Sequence, residues 1–448
     1  MLSVLQAQAR AAALIEAART AGADAADVLY VGEASTGVHV RLGALEDVHR
    51  AEGEEIGLRF FVGRRSASVS SSDLSDEALN ALVERAAAMA REAPEDPFAG
   101  LAPEERLLQG RGVDVDGDDG RDPLPAELKE RALAIEDAAR AVQGVTNSEG
   151  AGLSAGRSVI ALATSHGFCR GYTTSGYSAS ASVIAGAGSE MQRDYDSHSV
   201  RHYEELDDPE LLGRRAAERA VARLRPAKLS SGAMPVVFDA RVGGSLVGHL
   251  ISAMTGSAIA RETSFLLGRE DEQIFPEGIT IHDNPHKRRG LRSRPFDGEG
   301  VATSRRDLVA GGRLTGWLMD SASARQLKLE PTGHAARGVG GPPGASATNV
   351  DLLPGTMSMD ELIADIARGV YVTEMIGQGV NPVTGDYSRG ASGFIIENGR
   401  IAAPVAEITI AGNLIEMFRA LTPANDLDQR RSINVPTVRI DGMTVAGA

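Results

Sequence analysis

The sequence predicts an α+β protein. An N-terminal α/β part of helices and short strands precedes a C-terminal β-rich domain, closed as a barrel or sandwich. Three observations carry this. Apolar residues near the N-terminus repeat first at helical spacing, then in short strand-like runs, then at helical spacing again. From Met234 onward, short apolar runs rich in β-branched residues alternate with glycine turns. With 448 residues, the chain exceeds the capacity of one core; at about 150 residues per domain, two or three domains are expected.

Taken in order, Val4, Ala7, Ala11, Leu14, Ile15 and Ala18 recur at steps of three and four and stop at Gly22, which predicts a helix. Strands are predicted over 27–31, 37–42, 54–62 and 66–70. A second helix starts at Leu74-Ser75-Asp76, runs to about Arg91 and has Leu79, Leu82, Val83 and Ala86 on one face. Residues 1–91 thus read as an N-terminal α/β domain. Residues 92–124 are rich in Pro, Asp and Gly and read as a linker. Its run Asp114-Val115-Asp116-Gly117-Asp118 imitates the opening of a calcium loop. Position twelve would be Pro125 instead of a bidentate Glu, so a solvated acidic loop is expected.

A central α/β segment follows over 125–225, with helices near 125–142 and 208–223 flanking a Ser-, Thr- and Val-rich strand region. The β-rich domain spans 230–448. Gly311-Gly312 and Asn398-Gly399, each between apolar runs, predict tight hairpins. Helices are expected only at 243–254, 321–328, 359–366 and 412–420. Aromatic residues make up 4% of the chain, so the cores must be aliphatic.

The formal charge of −15 argues against direct nucleic-acid binding, because phosphate repulsion would replace counterion release. Cys169 is the sole cysteine, which rules out an internal disulfide or a Cys-rich metal site and favours a reducing compartment. No apolar run approaches the roughly 20 residues that span a bilayer, and the Ala-rich N-terminus has no signal-peptide pattern. A cytoplasmic protein without membrane attachment is expected.

Phosphate-loop and nucleophile-elbow motifs are absent. The informative stretch is VGGSLVGHLISAMT, residues 242–255. His249 stands where the first histidine of a zinc-protease helix would stand. Leu250 follows in place of a general-base Glu, and Ser252, Ala253 and Met254 fill the next turn without a second imidazole. Leu246, Leu250 and Met254, widened by Val247 and Ile251, form an apolar stripe suited to burial. Among the other histidines, His282 and His286 flank Pro285 and read as loop residues. His198 and His202, spaced as two ligands on a helix, sit in an acidic segment that also reads as exposed surface. His334, in the glycine-flanked PTGHAARG, is a candidate for a cleft.

Four segments carry a specific resemblance: SRPFDGEGVATSRRDLV (293–309), LTGWLMDSASARQLKL (314–329) with its following PTGHA, EMIGQGVNPVTGDYSRGASGFIIENG (374–399) and PVAEITIAGNLIEMF (404–418). The chain resembles the TldD/PmbA family over essentially its whole length, and its PmbA branch, also called TldE. The resemblance implies an α/β N-terminal part and a barrel-like C-terminal domain. It implies a TldD-like partner whose HExxxH helix and late cysteine hold one zinc or iron ion, the two chains acting together on short or unfolded peptides. The label of gyrase modulator also attaches to the family. Carried onto this chain, His249 matches the first histidine, Leu250 replaces the Glu, Met254 replaces the second histidine, and Arg431-Ser432-Ile433-Asn434-Val435 carries no cysteine. No catalytic residue and no metal or other cofactor is therefore expected in this chain.

Asp386, Tyr387, Ser388 and Arg389, at the centre of GQGVNPVTGDYSRGASG, are candidate substrate-binding residues together with His334. A peptide could be held there by strand addition, or the segment is a tight structural turn. Three functions stay open: a non-metal subunit of a heterodimeric peptidase, a non-proteolytic binding or regulatory protein such as a homodimer, and an enzyme with an unrecognised site at His198, His202 or His334.

Overall fold

The computed structural model describes residues 1–447. The N-terminal half opens with α1 (Val4–Thr20), whose free backbone donors are met by a capping box between Ser3 and Gln6. Three strands follow: β1 (Ala25–Arg41), β2 (Ala44–Val62) and β3 (Arg65–Ser71). Next comes α2 (Asp76–Glu92), capped by the Ser75 hydroxyl. After the segment 93–124 come α3 (Pro125–Arg140), β4 (Val145–Thr164), β5 (Cys169–Ala185), β6 (Gln192–Val200) and α4 (Pro209–Ala222).

The strands form one six-stranded sheet in the order β3-β2-β1-β4-β5-β6, antiparallel throughout. Residues 1–91 and 125–225 therefore share a sheet, joined where β1 runs beside β4 from Asp27↔Thr164 to Val40↔Ala151. The two short strands expected at 27–31 and 37–42 are one continuous strand, because main-chain pairing to both neighbours carries it across the intervening polar residues. The helices cover one sheet face: α1 and α2 bury Leu14, Ile15, Leu82 and Val83 against Val28, Tyr30 and Phe60, while α3 and α4 bury Leu128, Ile135 and Leu212 against Val38, Val40 and Leu153.

The segment 93–124 differs from a solvated linker. Ala102, Leu107 and Val115 are buried, and Arg325 donates to the carbonyls of Phe98, Gly100 and Leu101 at 2.7, 3.0 and 3.0 Å. Asp116 of the calcium-like run accepts from Arg288 and Arg289. The segment is a strap tying the two halves together. Beneath it, Leu29 and Leu162 from the helix-free sheet face meet Phe168, Phe296 and Val301.

The C-terminal half runs β7 (Gly232–Phe238), α5 (Ala240–Ala253), α6 (Gly256–Ala260), β8 (Ile281–Asp283), β9 (Arg306–Ala310), β10 (Arg313–Leu314) and α7 (Ser321–Leu327). It continues through β11 (Ala335–Ala336), β12 (Gly344–Ala345), β13 (Val350–Leu352), α8 (Met359–Ile363), β14 (Arg368–Ile376), β15 (Asp386–Glu397) and β16 (Arg400–Asn413), then α9 (Leu414–Arg419), β17 (Leu421–Pro423), β18 (Ile433–Asn434) and β19 (Val438–Ala446). Strands β16-β15-β14-β7-β19 lie side by side, and pairing of β16 with β19 closes them into a five-stranded barrel. The β-rich, barrel-closed half is thus as the sequence predicts. Both predicted hairpins are present. Gly311 and Gly312 have φ of 55° and 81°, and Asn398 and Gly399 have φ of 49° and 73°, the two successive positive values a tight two-residue turn demands.

Candidate functional site

Helix α5 leaves the end of β7 at Asp239, whose carboxylate caps it by accepting from Arg241 N–H. Its stripe is buried as its spacing predicts: Leu246, Val247, Leu250, Ile251 and Met254 are all within the core of the C-terminal half. Leu250 is 0% and Met254 1% exposed. The positions of the family's base and second histidine therefore point into aliphatic packing. Gly243 lets the first turn approach the late segment closely, since a Cβ there would stand 2.9 Å from Val435, and Gly244 faces the Ile433 carbonyl beside it. The region without a cysteine, 431–435, thus lies against the start of the same helix.

His249 is half-buried beside the stripe. Its ring meets the Tyr387 ring edge to face, with centroids 6.1 Å apart, and its buried Nε2 has no hydrogen-bond partner among the described residues. Burial first, and then the nearby Arg389 guanidinium, pull its pKa below the ordinary histidine value. Tyr387 is 2% exposed, and its hydroxyl points at the Met375 sulfur, 3.1 Å away. Burial pushes that hydroxyl up to about 12 against the opposing charge of Arg389.

A metal ion does not fit here. His249 has no carboxylate, thiol or second imidazole as co-ligand on α5, and among the described residues no group of three His, Cys, Asp or Glu side chains is arranged to hold an ion.

Between α5, β14 and the late segment lies a cleft of about 490 Å³. Val242, Gly244 and Ser245 form one wall, Thr373, Glu374 and Met375 another, and Arg431–Ile433 a third, with Arg389, Arg241, Arg223 and Asp194 completing it. Asp194 reaches in from the N-terminal sheet and holds Arg241 Nη1 at 3.0 Å and Arg223 Nη1 at 3.4 Å. Arg223 also donates to Glu374. Arg389 and Arg431 have no carboxylate within salt-bridge reach among the described residues. Thr373 is 7% exposed, yet its Oγ1 makes no hydrogen bond among the described residues, and neither does the buried Nε of Arg389.

Of the residues singled out from the sequence, His249, Tyr387 and Arg389 come together beside this cleft. Asp386 and Ser388 are exposed on the opposite side of β15. Asp386 accepts from Thr384 Oγ1 at 2.7 Å and Asn413 Nδ2 at 3.3 Å. Strand addition along 386–389 meets an obstacle, because both edges are already paired. Asp386–Arg389 lie opposite Asn413–Ile410 of β16, while Ser388 N–H donates to the Gly379 carbonyl at 2.7 Å on the other side. His334 is remote from the cleft. It is 2% exposed, with Nε2 3.1 Å from Asp283 Oδ2 and Nδ1 2.8 Å from Thr332 Oγ1, which is a closed polar network under the loops. His198 lies on a strand, not a helix, with Nδ1 3.0 Å from Asp207. His202, just beyond that strand, faces Asp116 at 3.4 Å. The fourfold spacing therefore does not align the two.

Asp194, Arg223, Arg241, Thr373, Glu374 and Arg431 were not legible as site residues. The available signal was positional: Arg241 and Arg431 stand at the edges of the two segments where the resemblance implies metal ligands in the catalytic branch.

Comparison with known proteins follows the same division. Residues 26–90, 118–224 and 231–447 match, in turn, domain 1, the central domain and the C-terminal domain of the PmbA/TldA metallopeptidases. The chain is 38% identical to the metalloprotease PmbA of Escherichia coli O157:H7, with 100% of this chain and 99% of that one covered. It is 36% identical to the PmbA homologue of Haemophilus influenzae over 97% and 94%, and 30% identical to that organism's TldD homologue over 53% of each. A Bacteroides thetaiotaomicron protein described as a modulator of DNA gyrase superposes with a TM-score of 0.90 at 27% identity, covering 98% of this chain and 99% of that one. TldE from Thermococcus kodakarensis shares the fold, with a TM-score of 0.88 at 21% identity over 98% of this chain and 100% of that one. The chain belongs to the PmbA/TldD metallopeptidase family, in its PmbA branch.

Proposed function

We propose that this chain is the non-metal subunit of a two-chain peptidase, pairing with a TldD-like chain and helping to hold a short or unfolded peptide for hydrolysis. The zinc or iron ion belongs to the partner in this reading. The observation that carries it is the state of α5. The helix is kept and well packed, with Leu250 and Met254 serving as core residues at the positions of the base and second ligand, and beside it lies an open, arginine-rich cleft. A decayed enzyme would have no reason to retain unsatisfied polar groups in such a cleft, since each costs desolvation energy unless something meets it.

The cleft also supports main-chain recognition. Strand β7 pairs with β14 only from Val370 to Val372 and then turns into α5. Thr373–Ile376 run on past it, so their edge on that side has no strand partner among the described residues, and Thr373, Glu374 and Met375 border the cleft. An extended peptide added there gains backbone hydrogen bonds that do not depend on its sequence. The chain supplies binding and orientation, and it excludes water on its side of a shared cavity.

The test mixes the purified chain with a TldD-like chain from the same cell and follows cleavage of an unstructured peptide. The pair is expected to form a mixed complex on size exclusion and to cleave at least several times faster than the TldD-like chain alone. Equal rates, or a chain that elutes only as a homodimer, overturn the reading.

A further inference from the structure

We infer that the cleft between α5 and β14 is a carboxylate-anchoring subsite, in which Arg389 and Arg431 grip the C-terminal carboxylate of a bound peptide. The choice of peptide as the source of that carboxylate rests on the reading above; the anion site itself rests on the geometry. Four arginines line the cleft, Arg223, Arg241, Arg389 and Arg431, against two carboxylates, Asp194 and Glu374. Asp194 and Glu374 are already engaged by Arg223 and Arg241. Two positive charges are left over, and in a recess they raise the local potential that an anion meets.

A second, independent feature points the same way. Thr373, more than nine-tenths buried, lines the cleft with an Oγ1 that makes no hydrogen bond among the described residues. A buried hydroxyl without a partner is uncommon and costly, and a small opening of the recess as a ligand enters would give it an acceptor. Arg389 lines the same recess without a carboxylate partner among the described residues, and its buried Nε is unmet. The free N–H groups of a guanidinium form the planar fork that matches a carboxylate.

The surroundings favour a single negative charge attached to an apolar residue. Val242, Met375 and Ile433 line the same recess and suit the side chain next to the carboxylate. Asp194 and Glu374 remain close enough to repel a doubly charged phosphate more strongly than a carboxylate. The unpaired edge of β14 at Thr373–Ile376 gives the preceding peptide units a place to lie. The subsite fixes how far a chain end reaches along the cleft and so sets the register of the bond offered to the partner.

Binding is measured on the isolated chain, with no partner, so that failure of the anchor is separate from failure of the subunit reading, which only the mixed-chain assay tests. A fluorescent unstructured peptide is offered as the free acid and as the C-terminal amide, with inorganic phosphate and acetate as competitors. The free acid is expected to bind about tenfold or more tighter than the amide, the scale of a charge-assisted pair of hydrogen bonds. Arg431→Gln, at an exposed position, and Arg389→Lys, which keeps the charge but loses the fork, are each expected to shrink that ratio, and Arg389→Gln with Arg431→Gln to abolish it. Equal binding of acid and amide overturns the proposal. So does an acid preference unchanged in the double variant, or no binding of the free acid. Displacement by phosphate at lower concentration than by acetate would reassign the recess to phosphate and likewise overturn it.

Discussion

Two regions of the molecule gather arginines and carboxylates in buried surroundings and use them in opposite ways. Where the N-terminal sheet meets the C-terminal half, Asp27 binds both Arg59 and Arg337, and Arg59 lies 3.9 Å from Glu299. Asp27, Arg59, Arg337 and Glu299 are all nearly inaccessible. Burial works to raise the Asp27 pKa, yet Arg337 and Arg59 hold it below its ordinary value. In the cleft beside α5, arginines outnumber carboxylates and four side chains in or beside it, Arg241, His249, Thr373 and Arg389, keep a buried polar atom unmet, against Arg337 Nε alone at the junction. A closed network is what holds two halves in register; an open one has capacity left for a ligand.

The largest expected effect comes from breaking the closed network. Asp27→Ala leaves two buried guanidinium groups without their shared hydrogen-bonded carboxylate, with Glu299 and Asp320 acting on Arg59 only from a distance. Loss of one partner from a buried ion pair costs about 3–5 kcal/mol, seen as a large drop in the thermal unfolding midpoint, with loss of the N-terminal half's protection in hydrogen exchange. A cost below about 1 kcal/mol would mean that the junction is wet, and the contrast with the cleft would collapse.

The open network predicts the reverse. Arg389→Gln with Arg431→Gln removes no ion pair, so its effect on unfolding free energy should stay within about 1 kcal/mol, while the same double variant loses preference for a free-acid peptide. If instead it destabilises as much as Asp27→Ala, these arginines are structural and the cleft is a second closed network in disguise.

How much of this was legible in the sequence follows from how local each feature is. The stripe on α5 and the Asn398-Gly399 and Gly311-Gly312 turns are set by neighbours a few residues away, and they lie where their spacing places them. The replacement of a base and a ligand by Leu250 and Met254 is equally local. Pairings between distant segments were not legible. Nothing in 27–31 announces that it continues to Arg41 by pairing with β4, more than 100 residues on. The Pro- and Gly-rich composition of 93–124 marks irregular backbone but not that Arg325 ties it down. The cleft is the extreme case: Asp194 meets Arg241 across 47 residues and Arg223 meets Glu374 across 151. A motif scan finds Arg389 within its motif but not that its guanidinium lacks a carboxylate, because that depends on where every acidic side chain ends up.

The smallest effect tests the edge of the open region, at His249. Burial and Arg389 depress its pKa from 6.5, so the folded state takes up a proton less readily than the unfolded chain. The sign follows: this group leaves stability intact above pH 6.5, and stability is lost as pH falls below 6.5 towards the folded value. His198 and His286 are depressed in the same direction, each chiefly by burial, so the contribution of His249 is isolated as the difference between the chain and its His249→Phe variant, measured by denaturant unfolding from pH 8 to pH 5. The variant is expected to lose less stability on acidification, while keeping the ring contact with Tyr387. Adding Arg389→Gln to the wild-type background should also flatten the slope, because part of the depression comes from that charge. A difference curve level with pH would mean His249 is solvated, which would move it from the unsatisfied wall of the cleft to ordinary surface. A slope reduced in His249→Phe but unchanged in Arg389→Gln would show burial alone at work, and would separate the histidine from the arginine site it borders.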